Sequence, residues 1–213
     1  FDVEILCRAE ESRTGTNFER VDEYWKLSPP RPDSAKLVPE SILIQTCTSC
    51  HGTNGIATLK DGTPHLAGLS ASYITKQLVD FRLARRKHEA MEAFARNLSD
   101  LDILRLAAYF ANNAAQKIGR LNLDAATGRG SQLDQSGDQQ LAVPACANCH
   151  GPNGDGLGYF IPRLAGQPNQ YLLGQLRAFR IDKRQNDDHS VMRAIAKRLS
   201  EDDLKILADY FAH

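Results

Sequence analysis

The chain has 213 residues and a mass of 23.6 kDa, a size that suits one domain or two small ones. Its 26 basic and 26 acidic side chains balance, which argues against a broad basic surface for nucleic acid or an anionic membrane. The hydrophobic content of 42% excludes wholesale disorder. No run approaches the ~18 apolar residues that indicate a transmembrane helix, so we expect a globular protein with no transmembrane segment.

Residues 1–39 form an amino-terminal extension that shares nothing with the rest of the chain. It contains Trp25, which is the single tryptophan, a proline-rich run at 29–32, and Cys7, whose role stays open. Because the chain begins at Phe1 rather than at Met, we expect a mature product from which a signal peptide has been removed. The extension is a candidate contact for a partner chain, with Trp25 as an anchor; the alternative is disorder or packing on its own domain.

Four of the five cysteines form two copies of the motif C-x-x-C-H. The residues of the two copies are Cys47, Cys50 and His51, and Cys146, Cys149 and His150. This pattern is the attachment signature of c-type haem, because each thiol can form a thioether to a haem vinyl group and the adjacent His then ligates the iron. A redox disulfide or a zinc site would leave the histidine unexplained. The sequence therefore predicts two covalent haem c groups.

The two halves of the chain repeat each other. Side chains that follow the first motif recur about 100 positions later, among them Pro64 as Pro162, Tyr73 as Tyr171, Arg82 as Arg180 and Met91 as Met192. Two copies, each with its own haem motif, indicate a tandem duplication rather than a solenoid. The repeat predicts a first domain at 40–118, a linker at 119–138 and a second domain at 139–213.

Each domain is predicted to be helical, which makes the fold class all-α. Aromatic and apolar side chains recur at helical spacing over 73–81, and the second half repeats the pattern. Ser99 with Asp102, and Ser200 with Asp203, resemble capping boxes that begin a last helix in each domain. A domain of about 75 residues is hard to stabilise with side chains alone, so we expect each to fold around its haem.

The two methionines of the chain, Met91 and Met192, are predicted to be the distal ligands of the two irons. They occupy equivalent positions of the repeat, downstream of the haem motifs. A thioether ligand raises the reduction potential compared with a second imidazole. His88 and His189 each lie three residues before a methionine, and they remain the alternative ligands.

Two further pairs of residues are candidates for contacts around the haems. A metal-bound His usually donates its other ring N–H to an acceptor, and the carbonyls of Pro64 and Pro162 are placed to accept it; ordinary turn-forming prolines are the alternative. Arg82 and Arg180 are candidates to pair with the haem propionates, and solvation at the surface is the alternative.

The second haem segment, residues 143–154, resembles that of the cytochrome c4 family, and the match continues through 164–180 and 186–192. The resemblance covers about residues 40–213. It implies two class I cytochrome c domains related by pseudo-twofold symmetry, with the propionate edges of the haems facing across the domain interface. It also aligns both methionines with the distal ligands of the family. The chain is similar, too, to the diheme cytochrome subunit of flavocytochrome c sulfide dehydrogenase.

The resemblance implies a periplasmic protein that shuttles single electrons between a donor protein and an acceptor protein. The alternative is the electron-transfer subunit of a heteromeric dehydrogenase, whose catalytic chain would contact residues 1–39. A diheme enzyme in its own right would need an open or labile distal position. The additional ligands of diheme peroxidases or thiosulfate dehydrogenases are not found, so we expect no catalytic residues.

Overall fold

The computed structural model describes residues 40–58, 62–113, 128–157 and 160–212. These residues form two helical domains in tandem, and they contain no β-strand beyond an isolated bridge between Asp138 and Val143. The all-α prediction is thereby confirmed. The amino-terminal extension and residues 119–127 of the predicted linker lie outside the described residues.

The first domain, in its described part, consists of helices α1 (Glu40–His51), α2 (Ala71–Arg82), α3 (Glu89–Ala95) and α4 (Asp100–Asn112). The central helix α2 packs against α3 and α4, and α4 also packs against α1. The predicted capping box is present at the start of α4, where the Asp102 amide donates to Ser99 Oγ at 3.1 Å and the Ser99 amide donates back to the Asp102 carboxylate at 3.0 Å.

The second domain contains helices α5 (Arg129–Gln135), α6 (Ala147–His150), α7 (Asn169–Arg180), α8 (Val191–Arg198) and α9 (Glu201–Ala212). Its central helix α7 packs against α8 and α9, as α2 does against α3 and α4. Ser200 and Asp203 exchange the same two capping hydrogen bonds, each 3.0 Å long.

The last helix of each domain supplies the centre of its apolar core. The buried positions, all at most 3% exposed, are Leu106, Ala107 and Phe110 of α4 and Leu207, Ala208 and Phe211 of α9. Their spacing is that of one helix face, which the sequence pattern predicted. Each large apolar side chain buried there contributes about 1.5–3 kcal/mol.

Helix α5 lies within the segment that the sequence predicted as a linker. Leu133 of this helix is fully buried in the core of the second domain. Arg129 binds Asp203 of α9 at 2.8 Å, and the Tyr210 hydroxyl donates to Asp134 at 3.0 Å. The second domain therefore begins before residue 139, and the helix was missed because Leu133 is its single large apolar residue.

The two domains meet through α2 and α7 and the loops that follow these helices. Arg86 of the first domain donates to the Tyr171 hydroxyl of the second at 3.2 Å, and Arg184 of the second donates to Tyr73 of the first at the same distance. The residues of each contact correspond in the repeat, so the interface has the pseudo-twofold symmetry that the resemblance implied. Within the described residues, no helix is long and apolar enough to cross a membrane.

Candidate haem sites

The first haem motif lies on the last turn of α1. Cys47 is half-buried, Cys50 is exposed, and His51 ends the helix with 8% of its surface exposed. The next residue, Gly52, has φ of +78°, and a Cβ there would lie 2.1 Å from the Ile56 carbonyl oxygen. Only glycine fits this position, and the chain turns back under the histidine as a result.

The second haem motif has a shorter helix. Cys146 precedes α6, Cys149 lies within it, and His150 ends it, again 8% exposed. The preceding residues 142–145 are not helical, because Pro144 lacks an amide hydrogen and disfavours helix at the residue before it. Despite this difference, Gly151 takes a positive φ of +76° after the histidine, so the turn that follows both motifs is alike.

Both motif histidines are held by a proline carbonyl. His51 Nδ1 lies 3.0 Å from the Pro64 oxygen, and His150 Nδ1 lies 2.9 Å from the Pro162 oxygen. An Nδ1–H that donates to a carbonyl leaves the Nε2 lone pair available for a metal. Burial lowers the pKa of His150, although the Pro162 carbonyl opposes this. The ring is therefore kept in the neutral form that binds iron.

Two of the motif thiols, those of Cys47 and Cys146, have raised pKa values. Burial, with a smaller contribution from Cys50, raises the pKa of Cys47 to about 11. Burial, with a contribution from Asp134, raises the pKa of Cys146 to about 12. A buried thiol of this kind is a poor nucleophile towards solvent.

The second domain contains a cavity of about 420 Å³ that holds the predicted ligands together. His150 and Met192 both line it, and so do Cys146 and Cys149. Much of its remaining wall is apolar: Leu172, Leu176, Ile195, Leu199, Leu207 and Phe211. An apolar cavity with an imidazole, a thioether and two attachment sulfurs fits a covalent haem.

The alternative ligands His88 and His189 are both exposed. His88 is the N-cap of α3, and its Nδ1 accepts a hydrogen bond from the Met91 amide at 3.4 Å. His189 has a positive φ of +50° and lies at the rim of the second cavity. Met91 and Met192 are each half-buried, which favours the methionines as distal ligands.

Arg82 and Arg180, the candidates for propionate contacts, bind protein carboxylates in the structure. Arg82 Nη1 lies 2.7 Å from Asp100, and Arg180 Nη1 lies 3.1 Å from Glu201, both at the start of the last helix. Their contacts thus join α2 to α4 and α7 to α9. Arg86 and Arg184, the buried arginines of the interface, were not predicted from the sequence, although they also recur 98 positions apart.

The comparisons with known proteins agree along both domains. Residues 136–213 match the sequence profile of the cytochrome c family, and residues 36–110 match that of cytochrome c oxidase, cbb3-type, subunit III. The thiosulfate dehydrogenase electron acceptor of Stutzerimonas stutzeri (strain A1501) is 39% identical over 168 residues, 78% of each chain. Cytochrome c4 of Thiocapsa roseopersicina is 38% identical over 77% of this chain and 84% of its own.

A solved structure shows the same arrangement. The crystal structure of reduced recombinant cytochrome c4 from Pseudomonas stutzeri matches 83% of this chain and 98% of its own, with a TM-score of 0.72 and 31% identity. These relatives are electron-transfer proteins with two cytochrome c domains, so the present chain is an electron carrier with two c-type haems rather than an enzyme. Similarity of this extent, in sequence and in structure, shows that the chain belongs to the cytochrome c4 family.

Proposed function

We propose that this protein is a periplasmic carrier that accepts electrons from a thiosulfate-oxidising dehydrogenase and passes them singly to an acceptor protein. One observation carries the proposal: His150, oriented by the Pro162 carbonyl, and Met192 line one apolar cavity. The repeat extends the same arrangement to His51, Pro64 and Met91. The thiosulfate partner is suggested by the relative from Stutzerimonas stutzeri, which is 39% identical to this chain.

The roles of the residues follow from their contacts. His51 and His150 would bind the two irons through Nε2, because the proline carbonyls engage Nδ1 in both. Met91 and Met192 would be the second protein ligands, and the motif cysteines would hold the porphyrins. Bound haem would supply a one-electron ferric–ferrous couple. With a histidine and a methionine for each iron, the protein would offer a substrate no ligand position and would transfer single electrons only.

The ligand assignment is tested by spectroscopy on the full haem-loaded chain. The pyridine haemochrome assay is expected to give two haems per polypeptide, and both ferric haems are expected to be low-spin. Met91→Ala and Met192→Ala should each turn one haem high-spin and open to cyanide. His88→Ala and His189→Ala are the matched controls and should leave both haems low-spin. One haem per chain, or high-spin iron in a His variant, contradicts the assignment.

The partner is tested by reduction of the haems in solution. Thiosulfate together with a purified thiosulfate dehydrogenase is expected to reduce the protein, and thiosulfate alone is expected to leave it oxidised. Reduction by thiosulfate alone would indicate an enzyme, and no reduction in the presence of the dehydrogenase would exclude this donor. Gel filtration of the mixture separates a carrier, which elutes at its own 23.6 kDa, from a permanent subunit contacted through residues 1–39.

A further inference from the structure

Two arginines are buried at the interface between the domains. Arg86 and Arg184 are each 8% exposed. The guanidinium carbon of Arg86 lies 4.7 Å from the centroid of the Phe81 ring, and that of Arg184 lies 4.5 Å from the Phe179 ring. Stacking on an aromatic face fixes the plane of each guanidinium group, so the hydrogen-bonding edges of both groups are directed by the fold.

Most of the hydrogen bonds of this arginine pair cross the interface. Arg86 donates to Gln77 Oε1 and to Gln175 Oε1, both at 2.8 Å. Arg184 donates to the same two acceptors, at 3.2 Å and 2.7 Å respectively. The hydroxyls of Tyr171 and Tyr73 complete the set at 3.2 Å. The bonds from Arg86 to Gln77 and from Arg184 to Gln175 lie within one domain, and the others cross the interface. All of these acceptors are formally neutral amides and phenols.

Neither arginine of the pair has a carboxylate partner among the residues that the structure describes; Arg184 binds one further neutral group, the Asn186 side chain. The nearby buried carboxylate, Asp80, is taken by Lys76 at 2.7 Å. Buried charges in proteins are normally paired, because an uncompensated ion costs several kcal/mol in a low-dielectric environment. Two buried cations with neutral partners therefore indicate a site that takes an anion.

The two arginines also act on the neighbouring phenols. Burial opposes ionisation of Tyr171, yet the charges of Arg86 and Arg184 and a hydrogen bond from Arg86 outweigh it and lower the pKa of this tyrosine to about 8. At Tyr73, burial and the neighbouring Tyr171 outweigh the same two charges and raise the pKa. Of the two phenols, Tyr171 is therefore the one that the arginines stabilise as an anion.

The arginine pair lies next to the cavity of the second domain. Arg184 lines that cavity together with Tyr73, Gln77, Tyr171 and Gln175, and the same cavity holds His150 and Met192. We propose that Arg86 and Arg184 bind the haem propionates, one arginine for each haem, and thereby set the reduction potentials and hold the domains together. The proposal rests on the proposed function, since it needs two haems attached at the predicted motifs.

The chemistry of the two groups favours haem propionates over other anions as partners of Arg86 and Arg184. A guanidinium group presents two parallel N–H donors that match a carboxylate, and each haem c carries two carboxylates on one edge. Arg82 and Arg180 already bind Asp100 and Glu201. The propionate contacts that the sequence assigned to those two arginines are therefore transferred to Arg86 and Arg184.

The test compares reduction potentials in the full haem-loaded chain. Removal of a buried cation beside a haem disfavours the ferrous state, so Arg184→Gln is expected to lower one potential by at least a tenfold change in the reduction equilibrium, about 59 mV for one electron. Arg184→Lys keeps the charge and should restore most of that potential. Arg180→Gln is the matched control and should change it little. An unchanged potential in Arg184→Gln, or an equal shift in Arg180→Gln, overturns the proposal.

A second measurement covers the case in which Arg184→Gln does not accumulate. Redox-difference infrared spectra, recorded with haem labelled with ¹³C at the propionates, are expected to show shifted carboxylate bands in Arg184→Lys and unshifted bands in Arg180→Lys. Unshifted bands in both variants overturn the proposal. Haem content of the unmodified protein is measured first; fewer than two haems contradicts the proposed function itself, and two haems with unaltered bands contradicts the propionate site alone.

Discussion

In the first domain the central helix α2 carries Lys76 and Asp80, whereas the corresponding positions of α7 in the second domain are Gly174 and Ala178. Lys76 and Asp80 form a buried ion pair at 2.7 Å, and the Lys76 ammonium also donates to the Asn186 carbonyl of the second domain at 2.6 Å. This side of the interface therefore has a polar contact that its pseudo-symmetric counterpart lacks.

Other interface positions have stayed the same in both halves. Gln77 accepts hydrogen bonds from both buried arginines, and so does its counterpart Gln175. A substitution of either glutamine would therefore break contacts to both domains. Lys76 and Asp80 belong to the same network, because Asn186 donates to both Gln77 and Asp80, yet they have no polar counterpart in α7. The two domains thus share the glutamine contacts and differ at the ion pair beside them.

The largest expected effect comes from removing the haem attachment of one domain at a time. Cys47→Ala with Cys50→Ala should leave the first domain without haem and mostly unfolded, because a small domain needs the porphyrin as part of its core. Cys146→Ala with Cys149→Ala should unfold the second domain less, since α5 and the Arg129 ion pairs add contacts there.

Haem content by pyridine haemochrome and helicity by circular dichroism check this prediction. Each double variant should retain one haem per chain, and the first should lose more helical signal than the second. Full helicity in the first-domain variant would show that the domain folds without its haem.

The next effect separates the two sides of the interface. Lys76→Met leaves the buried Asp80 carboxylate without its cationic partner, which should cost about 3–5 kcal/mol of unfolding free energy. Adding Asp80→Ala makes α2 resemble α7 and should recover most of that loss. Urea unfolding measures both variants, with Lys87→Met as the control, because Lys87 is exposed and its 3.7 Å pair with Glu92 contributes at most about 1 kcal/mol. Equal losses in the single and double variants would contradict the prediction.

A smaller effect is expected at the N-caps of the two last helices, and it tests whether these caps stabilise both domains equally. Ser99→Ala and Ser200→Ala each remove the N-cap of a last helix, which should lower the free energy of unfolding by about 1 kcal/mol in either case. Ser49→Ala, at an exposed site within α1, should stay within about 0.5 kcal/mol of the unmodified protein. A loss at one cap and none at the other would show that the two last helices are not equivalent.

The smallest effect is expected in acid, where the second domain has a cluster of its own. Hydrogen bonds from the Leu141 amide and Arg129 lower the pKa of Asp138. Burial opposes the charge of Asp203, yet hydrogen bonds from Arg129 and Ser200 outweigh it and lower its pKa. Because both folded-state values lie below the unfolded one, this stabilisation is complete above about pH 4 and is lost as the pH falls further.

Thermal unfolding across the acid range checks the sign of this effect. Arg129→Gln removes the group that both carboxylates share, so its stability should fall less steeply below about pH 4 than that of the unmodified protein. Near pH 7 the variant should be the less stable of the two. A parallel pH dependence in both proteins would exclude the Arg129 cluster as the cause.

The elements predicted from the sequence are those set by local spacing. The last helices were predictable because Leu106, Ala107 and Phe110 follow helical periodicity and a serine cap precedes them. The repeat placed Pro64 and Pro162 at a similar distance from the motif, which left a contact with the histidine and an ordinary turn as equal alternatives until the family resemblance favoured the contact. Periodicity and repeat offsets are properties of the chain alone.

The features that the sequence did not predict depend on packing between distant segments. The burial of Arg86 and Arg184 is a consequence of how the two domains meet, and each was an ordinary charged residue in its local sequence. Their recurrence at the same offset as Tyr73 and Tyr171 was the available signal. Helix α5 was not predicted because it has no apolar stripe; it is held by the burial of Leu133 and by contacts with α9.

Helix α5 also determines where a stable fragment of the second domain can begin. Leu133 is fully buried, and a Cβ on Gly130 would lie 2.9 Å from the Tyr210 side chain, so the helix sits close against the carboxy-terminal helix. A fragment that starts at the repeat boundary, residue 139, would lack α5. The core residues that pack against Leu133 would then be exposed to water, and Asp203 would lose its ion pair with Arg129. A stand-alone second domain has to start upstream of Arg129, and its minimal length is accordingly greater than that of the repeat.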